Sequence, residues 1–265
     1  MRENFPVALR VLPADVRTQL VATYRFARHV DDLGDEAPGD RVALLQAVAE
    51  DVHRLYAGGT PHDAEVAGLR VITERAAVPE ETLLRLVEAN LRDQEVVRYQ
   101  TFDELLDYCR LSANPVGEIV LHVFGVATPE RVALSDRVCT ALQLLEHWQD
   151  VGEDHQRGRV YLPKVDLERF GVDETDLGAA AAGPALRALV AFETERAAAW
   201  LGAGAPLVST LRGWARVAVS GYVAGGRAAA TRLRRAGYDP LGGDVRTTPA
   251  GVARAWAEAT VRWAG

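Results

Sequence analysis

Leu144-Leu145-Glu146-His147-Trp148-Gln149-Asp150-Val151-Gly152-Glu153-Asp154 runs into Gly158-Arg159-Val160-Tyr161-Leu162-Pro163, and the fold is decided here. Asp150 and Asp154 are four residues apart, so on a helix they stand one turn apart on a single face. The preceding stretch, Arg131 to Leu145, has apolar residues at helical intervals (Val132, Leu134, Val138, Leu142, Leu145). The pair is therefore expected near the end of a long amphipathic helix. Two carboxylates so placed repel by roughly a few tenths of a kcal/mol unless a cation lies between them. A hard divalent ion relieves that repulsion, and Mg²⁺ is typically held by one or two carboxylates plus substrate phosphates. The same spacing also fits a solvated acidic helix end.

A second copy of the spacing lies more than a hundred residues earlier, in Asp31-Asp32-Leu33-Gly34-Asp35-Glu36. It too closes a helical pattern, with Leu20, Tyr24, Ala27 and Val30 spaced for one buried face. Gly34 is expected to mark the C-terminal end, because glycine inside a helix costs about 1 kcal/mol relative to alanine. Helix C-termini carry partial negative charge, so acids there are doubly unfavourable without a cation. Two such violations in one chain point to function.

Composition bounds the rest. The chain has 265 residues, 48% of them apolar and 25% charged, enough for a substantial core. A net charge of −7 without a basic stripe excludes nucleic acid as a partner. An anionic substrate would need metal or a local arginine cluster. Cys109 and Cys139 have no metal-ligand spacing and read as free thiols in a reducing compartment. No secretory or transit signal is read at Met1 and no apolar run reaches membrane-span length. The expected location is cytoplasmic, with docking at the inner face of the membrane and oligomeric state left open.

Along the chain, helix follows helix. Pro13-Ala14-Asp15 begins one running to about Leu33, and Asp40 caps another through Tyr56. Asp63 to Ala77 and Glu80 to Arg98 follow. Thr101 and Glu104 form a capping-box pattern opening a run to Leu111, resumed after Pro115 as far as Phe124. Pro129 starts the long helix carrying Asp150 and Asp154. Beyond a loop from His155 to Lys164 and short helical pieces come Pro184 to Leu201, Pro206 to Ala236 and Pro249 to Trp263. Strand-length β-branched alternation is scarce. The expectation is an all-α, single-domain helical bundle over residues 1–265 with a central cavity.

Two acidic clusters near helix ends can face one another across such a cavity, with apolar walls below. That arrangement would suit a long apolar molecule with an anionic head. Holding the roughly three charges of a diphosphate near four carboxylates calls for two or three divalent cations. Mg²⁺ would then stabilise the leaving group while the hydrocarbon departs as a carbocation shielded from water.

The chain resembles the squalene/phytoene synthase family over nearly its whole length. The resemblance rests on three pieces: Tyr24-Arg25-Phe26-Ala27-Arg28-His29-Val30-Asp31 through Glu36; Tyr108-Cys109-Arg110-Leu111-Ser112-Ala113-Asn114-Pro115-Val116-Gly117; and Leu142-Gln143 through Asp154 into Pro163. Within the family, Glu3-Asn4-Phe5-Pro6-Val7, the Ser112 to Gly117 run and His147-Trp148-Gln149-Asp150 resemble the hydroxysqualene synthases of bacterial hopanoid pathways. Those turn presqualene diphosphate into hydroxysqualene and diphosphate.

The resemblance implies that Asp31 and Asp35 form one Mg²⁺-binding motif and Asp150 and Asp154 the other. Arg28 matches an arginine near the diphosphate, where bidentate contact is available, although an ion pair with Asp31 or Asp32 also fits. Tyr24, Tyr108 and Tyr222 match tyrosines at the reaction centre, with a core role as the alternative. Asp93 matches a further acid near the site, or a solvent-facing one. Gln143 matches a cavity glutamine, and Val116-Gly117 a pair where the helix breaks around substrate. Phe5, Phe26 and Trp148 could stabilise a cation through their rings or simply fill the core. One departure stands out: the family usually has Asn four residues before Asp150, and here it is Glu146. Glu146, Asp150 and Asp154 would still align three oxygen ligands on one face, with one extra charge.

The histidines read as surface or packing residues, His29 and His147 included. No dinucleotide fingerprint follows a strand, so no NADPH is expected. Two other readings stand beside the first: a head-to-head prenyl transferase making presqualene diphosphate, phytoene or dehydrosqualene, and a non-catalytic helical assembly factor. The intact four aspartates argue against the last.

Overall fold

The computed structural model describes residues 12–243. Phe5 and the expected helix from Pro249 to Trp263 lie outside the described residues. The helices are α1 (Ala14–Asp35), α2 (Arg41–Tyr56), α3 (Ala64–Gly68), α4 (Arg70–Arg75), α5 (Glu80–Arg92), α6 (Phe102–Ser112) and α7 (Asn114–Val123). Then follow α8 (Pro129–Gln149), α9 (Val151–Gln156), α10 (Lys164–Phe170), α11 (Pro184–Gly204), α12 (Leu207–Thr210) and α13 (Gly213–Arg235). Among the described residues the single strand-type pairing is an isolated bridge between Arg98 and Val160. The all-α expectation holds.

Local chemistry explains several helix starts. The Asp40 carboxylate accepts the Ala43 amide at 3.0 Å, and Asp63 accepts those of Glu65 and Val66 at 2.9 and 3.0 Å. Each such cap contributes about 1 kcal/mol. The Thr101 hydroxyl accepts the Glu104 amide, while the Glu104 carboxylate reaches the Gln100 amide rather than that of Thr101.

Several boundaries differ from expectation, and in each case the backbone finds other partners or another path. α5 stops at Arg92, not Arg98, and residues 97–100 run extended. There the carbonyls of Val97, Tyr99 and Gln100 accept the amides of Val160, Lys164 and Val165 at 2.9–3.1 Å. The stretch 63–77 divides at Leu69 into α3 and α4. α12 and α13 are separated by extended backbone at Leu211 and Arg212. α6 and α7 part at Ala113, so Val116 and Gly117 lie inside α7, and the break expected at that pair falls three residues earlier. Gly34, by contrast, falls at the C-terminal end of α1 as expected, buried one residue before the helix closes at Asp35.

The chain, expected as one domain, packs as two compact units interleaved in sequence. In the unit made of residues 12–96 and 110–136, α1 packs against α2, α3, α4, α5 and α7. Its wholly buried side chains include Leu20, Phe26, Leu45, Ile72, Leu83 and Ile119; each such burial is worth roughly 1.5–3 kcal/mol. In the unit made of residues 97–109 and 137–243, α11 packs on α10 and α13, and α12 on α13. Gly226 of α13 lets neighbours approach: a Cβ there would meet Leu201 Cδ2 at 2.8 Å and Leu142 Cδ2 at 2.9 Å. Cys109 is buried and Cys139 half-buried, and the two are not joined in a disulfide.

Candidate active site

The first acidic pair closes α1. Asp31 and Asp35 are both inside the helix, one turn apart, on its last turns. The end of a helix is where carboxylates meet opposing dipole charge, and the neighbouring groups offset it. Arg41 donates from Nη1 to the Gly34 carbonyl at 3.3 Å and from Nε to the Ala37 carbonyl at 2.9 Å. Gln94 donates to the Gly34 carbonyl at 3.1 Å, so a carbonyl left over at the helix end is satisfied. Asn90 of α5 donates from Nδ2 to Asp31 Oδ1 at 3.1 Å.

Burial pushes the Asp31 carboxyl up to about 6; the Asn90 hydrogen bond opposes the shift and the Asp35 charge adds to it. Asp31 as a residue is exposed, so the packing that raises its carboxyl encloses that group only in part. Arg28 pairs with Asp32 at 2.6 Å, the ion-pair alternative. Tyr24 is exposed at 37%, and Asp93 caps the end of α5. Val116 is exposed and Gly117 buried in α7.

The second pair falls at a helix break. α8 ends at Gln149 and α9 begins at Val151, so the two acids do not share one continuous helix as expected. Asp150, at φ −104° and ψ 13°, is the junction. The turn survives it, because the Asp150 amide donates to Glu146 and the Asp154 amide to Asp150, at 3.0 and 2.8 Å. Asp150 is buried and the Asp154 side chain is 13% exposed. Asp150 also lines a cleft of about 380 Å³ with Gln149, Glu153, Gln156 and Leu241.

Beside this pair stands an aromatic cluster. The His147 ring stacks on Tyr161 at 3.7 Å and 15°, and Tyr161 lies 5.7 Å from both Tyr99 and Tyr108. His147 Nε2 is 3.1 Å from the Gln143 amide nitrogen, and its Nδ1 is 3.8 Å from Asp154 Oδ2. An amide donating into Nε2 assigns the ring proton to Nδ1, on the side of Asp154. Gln143 therefore reaches the acidic pair through His147, a residue that sequence reasoning set aside. Tyr161 stood within the quoted motif without a role, and nothing local marked Asn90, Gln94 or Tyr99.

Other expectations are corrected. Phe26 and Trp148 are wholly enclosed and present no surface to a ligand. The Trp148 indole N–H finds no acceptor among the described residues. Tyr222 lies half-buried on α13. Among the described residues no group of three His, Cys, Asp or Glu side chains is drawn together as a metal-holding cluster.

The donor set nonetheless fits a hard cation. It is carboxylate oxygen at one-turn spacing, with one member held by a neutral amide and its proton affinity raised. No helix among the described residues is long and apolar enough to cross a membrane.

Comparisons with known proteins bear on this arrangement. The family model described as squalene/phytoene synthase matches residues 1–251. A hydroxysqualene synthase of Rhodopseudomonas palustris is 35% identical over 211 residues, covering 79% of this chain and 72% of the relative. One from Zymomonas mobilis is 37% identical over 182 residues, covering 66% and 60%. The crystal structure of squalene synthase HpnC from Alicyclobacillus acidocaldarius superposes with a TM-score of 0.81 at 41% identity, covering 86% of each chain.

Proposed function

This chain belongs to the squalene/phytoene synthase family, and from that premise we propose that it converts presqualene diphosphate and water to hydroxysqualene and diphosphate with Mg²⁺. The observation that carries the reading is the similarity to two hydroxysqualene synthases at 35% and 37% identity. All four aspartates of the two acidic motifs are present beside it.

Asp31 with Asp35, and Asp150 with Asp154, would hold the metal, which when bound draws charge from the leaving diphosphate. The C–O bond to diphosphate breaks and its electron pair leaves with the diphosphate. The cyclopropylcarbinyl cation opens its ring, water adds through oxygen, and the added water loses a proton. Arg28 can turn from Asp32 to a diphosphate oxygen at little cost, since exposed pairs are worth about 0–1 kcal/mol. The rings of Tyr108 and Tyr161, which keep a small solvent contact, supply negative faces suited to a cation, with Tyr99 packed behind them. Gln143 places the His147 ring, whose Nδ1 stands 3.8 Å from Asp154 Oδ2.

The test is incubation of the full chain with Mg²⁺ and presqualene diphosphate in H₂¹⁸O. The expected result is labelled hydroxysqualene formed without NADPH, and loss of turnover by orders of magnitude in Asp31→Ala, Asp35→Ala, Asp150→Ala and Asp154→Ala. Undiminished diphosphate release by Asp150→Ala refutes the metal assignment. A second reading draws on the relative solved as a squalene synthase: condensation of two prenyl diphosphates. Efficient conversion of farnesyl diphosphate alone would put that reading in place of the first.

A further inference from the structure

Gly34 occupies the last turns of α1, where a glycine costs about 1 kcal/mol relative to alanine. Its surroundings account for it. A Cβ at Gly34 would lie 2.6 Å from Oδ1 of Asn90 and 3.3 Å from its Cγ. Asn90 is a buried residue of α5, 9% exposed, and both ends of its side-chain amide are placed. The Oδ1 end lies over Gly34, and Nδ2 donates to Asp31 Oδ1 at 3.1 Å, with the Leu86 carbonyl 3.3 Å away. Reversing the amide would set its oxygen against a carboxylate and a carbonyl, so charge fixes the orientation.

Gln94, one turn on, ties the same two elements together. Its Nε2 donates to the Asn90 carbonyl at 3.0 Å and to the Gly34 carbonyl at 3.1 Å. The Gly34 carbonyl of α1 and the Asn90 carbonyl of α5 are thereby tied to the turn just beyond α5.

We infer that Asn90 is a positioning residue for Asp31, and that position 34 is glycine so that the Asn90 amide can reach it. The inference rests on the reading of Asp31 as a metal ligand. A carboxylate beside a second carboxylate swings away from it when left free. Engaging one oxygen from a buried amide stops that rotation and holds the carboxylate where a cation would need it. Neutral donors in the layer behind a ligand commonly change metal affinity by about 10–100-fold when removed. Neither Asn90 nor Gly34 touches the cation or the substrate in this scheme; both act through Asp31.

The experiment titrates the full-length protein with Mn²⁺, followed by the paramagnetic resonance of the free ion. The site of interest is the one lost in Asp31→Asn. Asn90→Ala is expected to weaken Mn²⁺ at that site by about tenfold or more. Gly34→Ala is expected to do much the same, because the new Cβ displaces the amide. In the double variant the Cβ has room, so its affinity should equal that of Asn90→Ala alone; such non-additivity separates positioning from general damage. Helical circular dichroism should match wild type throughout. Wild-type Mn²⁺ affinity in Asn90→Ala overturns the inference, and so do additive losses in the double variant. A wild-type protein with no Mn²⁺ site sensitive to Asp31→Asn overturns the metal reading itself.

Discussion

Replacing Glu193 by Gln should make the protein more stable at pH 8 and leave it nearly unchanged at pH 5. Glu193 of α11 is wholly buried, and Asp166 of α10 is 4% exposed. One guanidinium serves both: Arg196 Nη1 lies 3.0 Å from Asp166 Oδ2 and 3.2 and 3.4 Å from the two Glu193 oxygens. That guanidinium is sandwiched between the rings of Phe102 and Phe192, at 4.2 and 4.4 Å. Two carboxylates and one arginine leave one charge too many. Burial pushes the Glu193 carboxyl up to about 8; Arg196 opposes this and Asp166 reinforces it.

The folded carboxyl thus holds a proton that the unfolded chain, with its ordinary value near 4.5, has already released. Between those limits the folded state binds more protons, so stability falls as pH rises, by about 1.4 kcal/mol per unit. The full span sets an upper bound of about 5 kcal/mol, reached near pH 8. Glutamine is neutral at every pH, its carbonyl can still accept from Arg196, and its amide can replace the acid proton facing Asp166. Urea unfolding of both proteins from pH 5 to pH 8.5 should show the curves diverging by roughly 1 kcal/mol per unit. Parallel curves, or a glutamine variant that is the weaker one at pH 8, would refute the neutral-acid assignment.

Two further outcomes follow from the same structure. Protons compete with a cation at Asp31, whose carboxyl is raised to about 6; apparent Mn²⁺ affinity at the Asp31-dependent site should hold above pH 7 and fall about tenfold per unit below pH 6. A flat profile from pH 7 to pH 5 would contradict the raised value. Gly226→Ala should cost about 1–3 kcal/mol in urea unfolding, because its Cβ would press on Leu201 and Leu142 at under 3 Å; unchanged stability would mean that those leucines give way freely.

What could be read from the sequence was mainly what is local. Apolar spacing and caps such as Asp40 and Asp63 act within a turn or two, and their helices begin where expected. The misplaced boundaries have distant causes. Nothing near Arg92 says that residues 97–100 will exchange helical hydrogen bonds for partners around Val160 and Lys164. Gly34 shows the same limit at the site. Read alone, a glycine after a helical pattern means a stop, and α1 does end one residue on, at Asp35; what the pattern does not encode is that Asn90 lies against that glycine. His147 was set aside because its spacing matched no metal motif, yet its place is set by a stack on Tyr161 and by Gln143, contacts that no local pattern encodes.

The acids themselves could be read because their cost is local and independent of what surrounds them. Carboxylates at the C-terminal end of α1 are unfavourable wherever that helix packs. The fold answers with Arg41 and Gln94 at the Gly34 carbonyl and Asn90 at Asp31. Those groups soften the conflict without neutralising it: Arg41 is the cation among them, and its contacts go to carbonyls. A purely structural helix end would be relieved more simply by losing its acids. That this one keeps them, with a buried amide holding one in place, is what the proposed cation site would require.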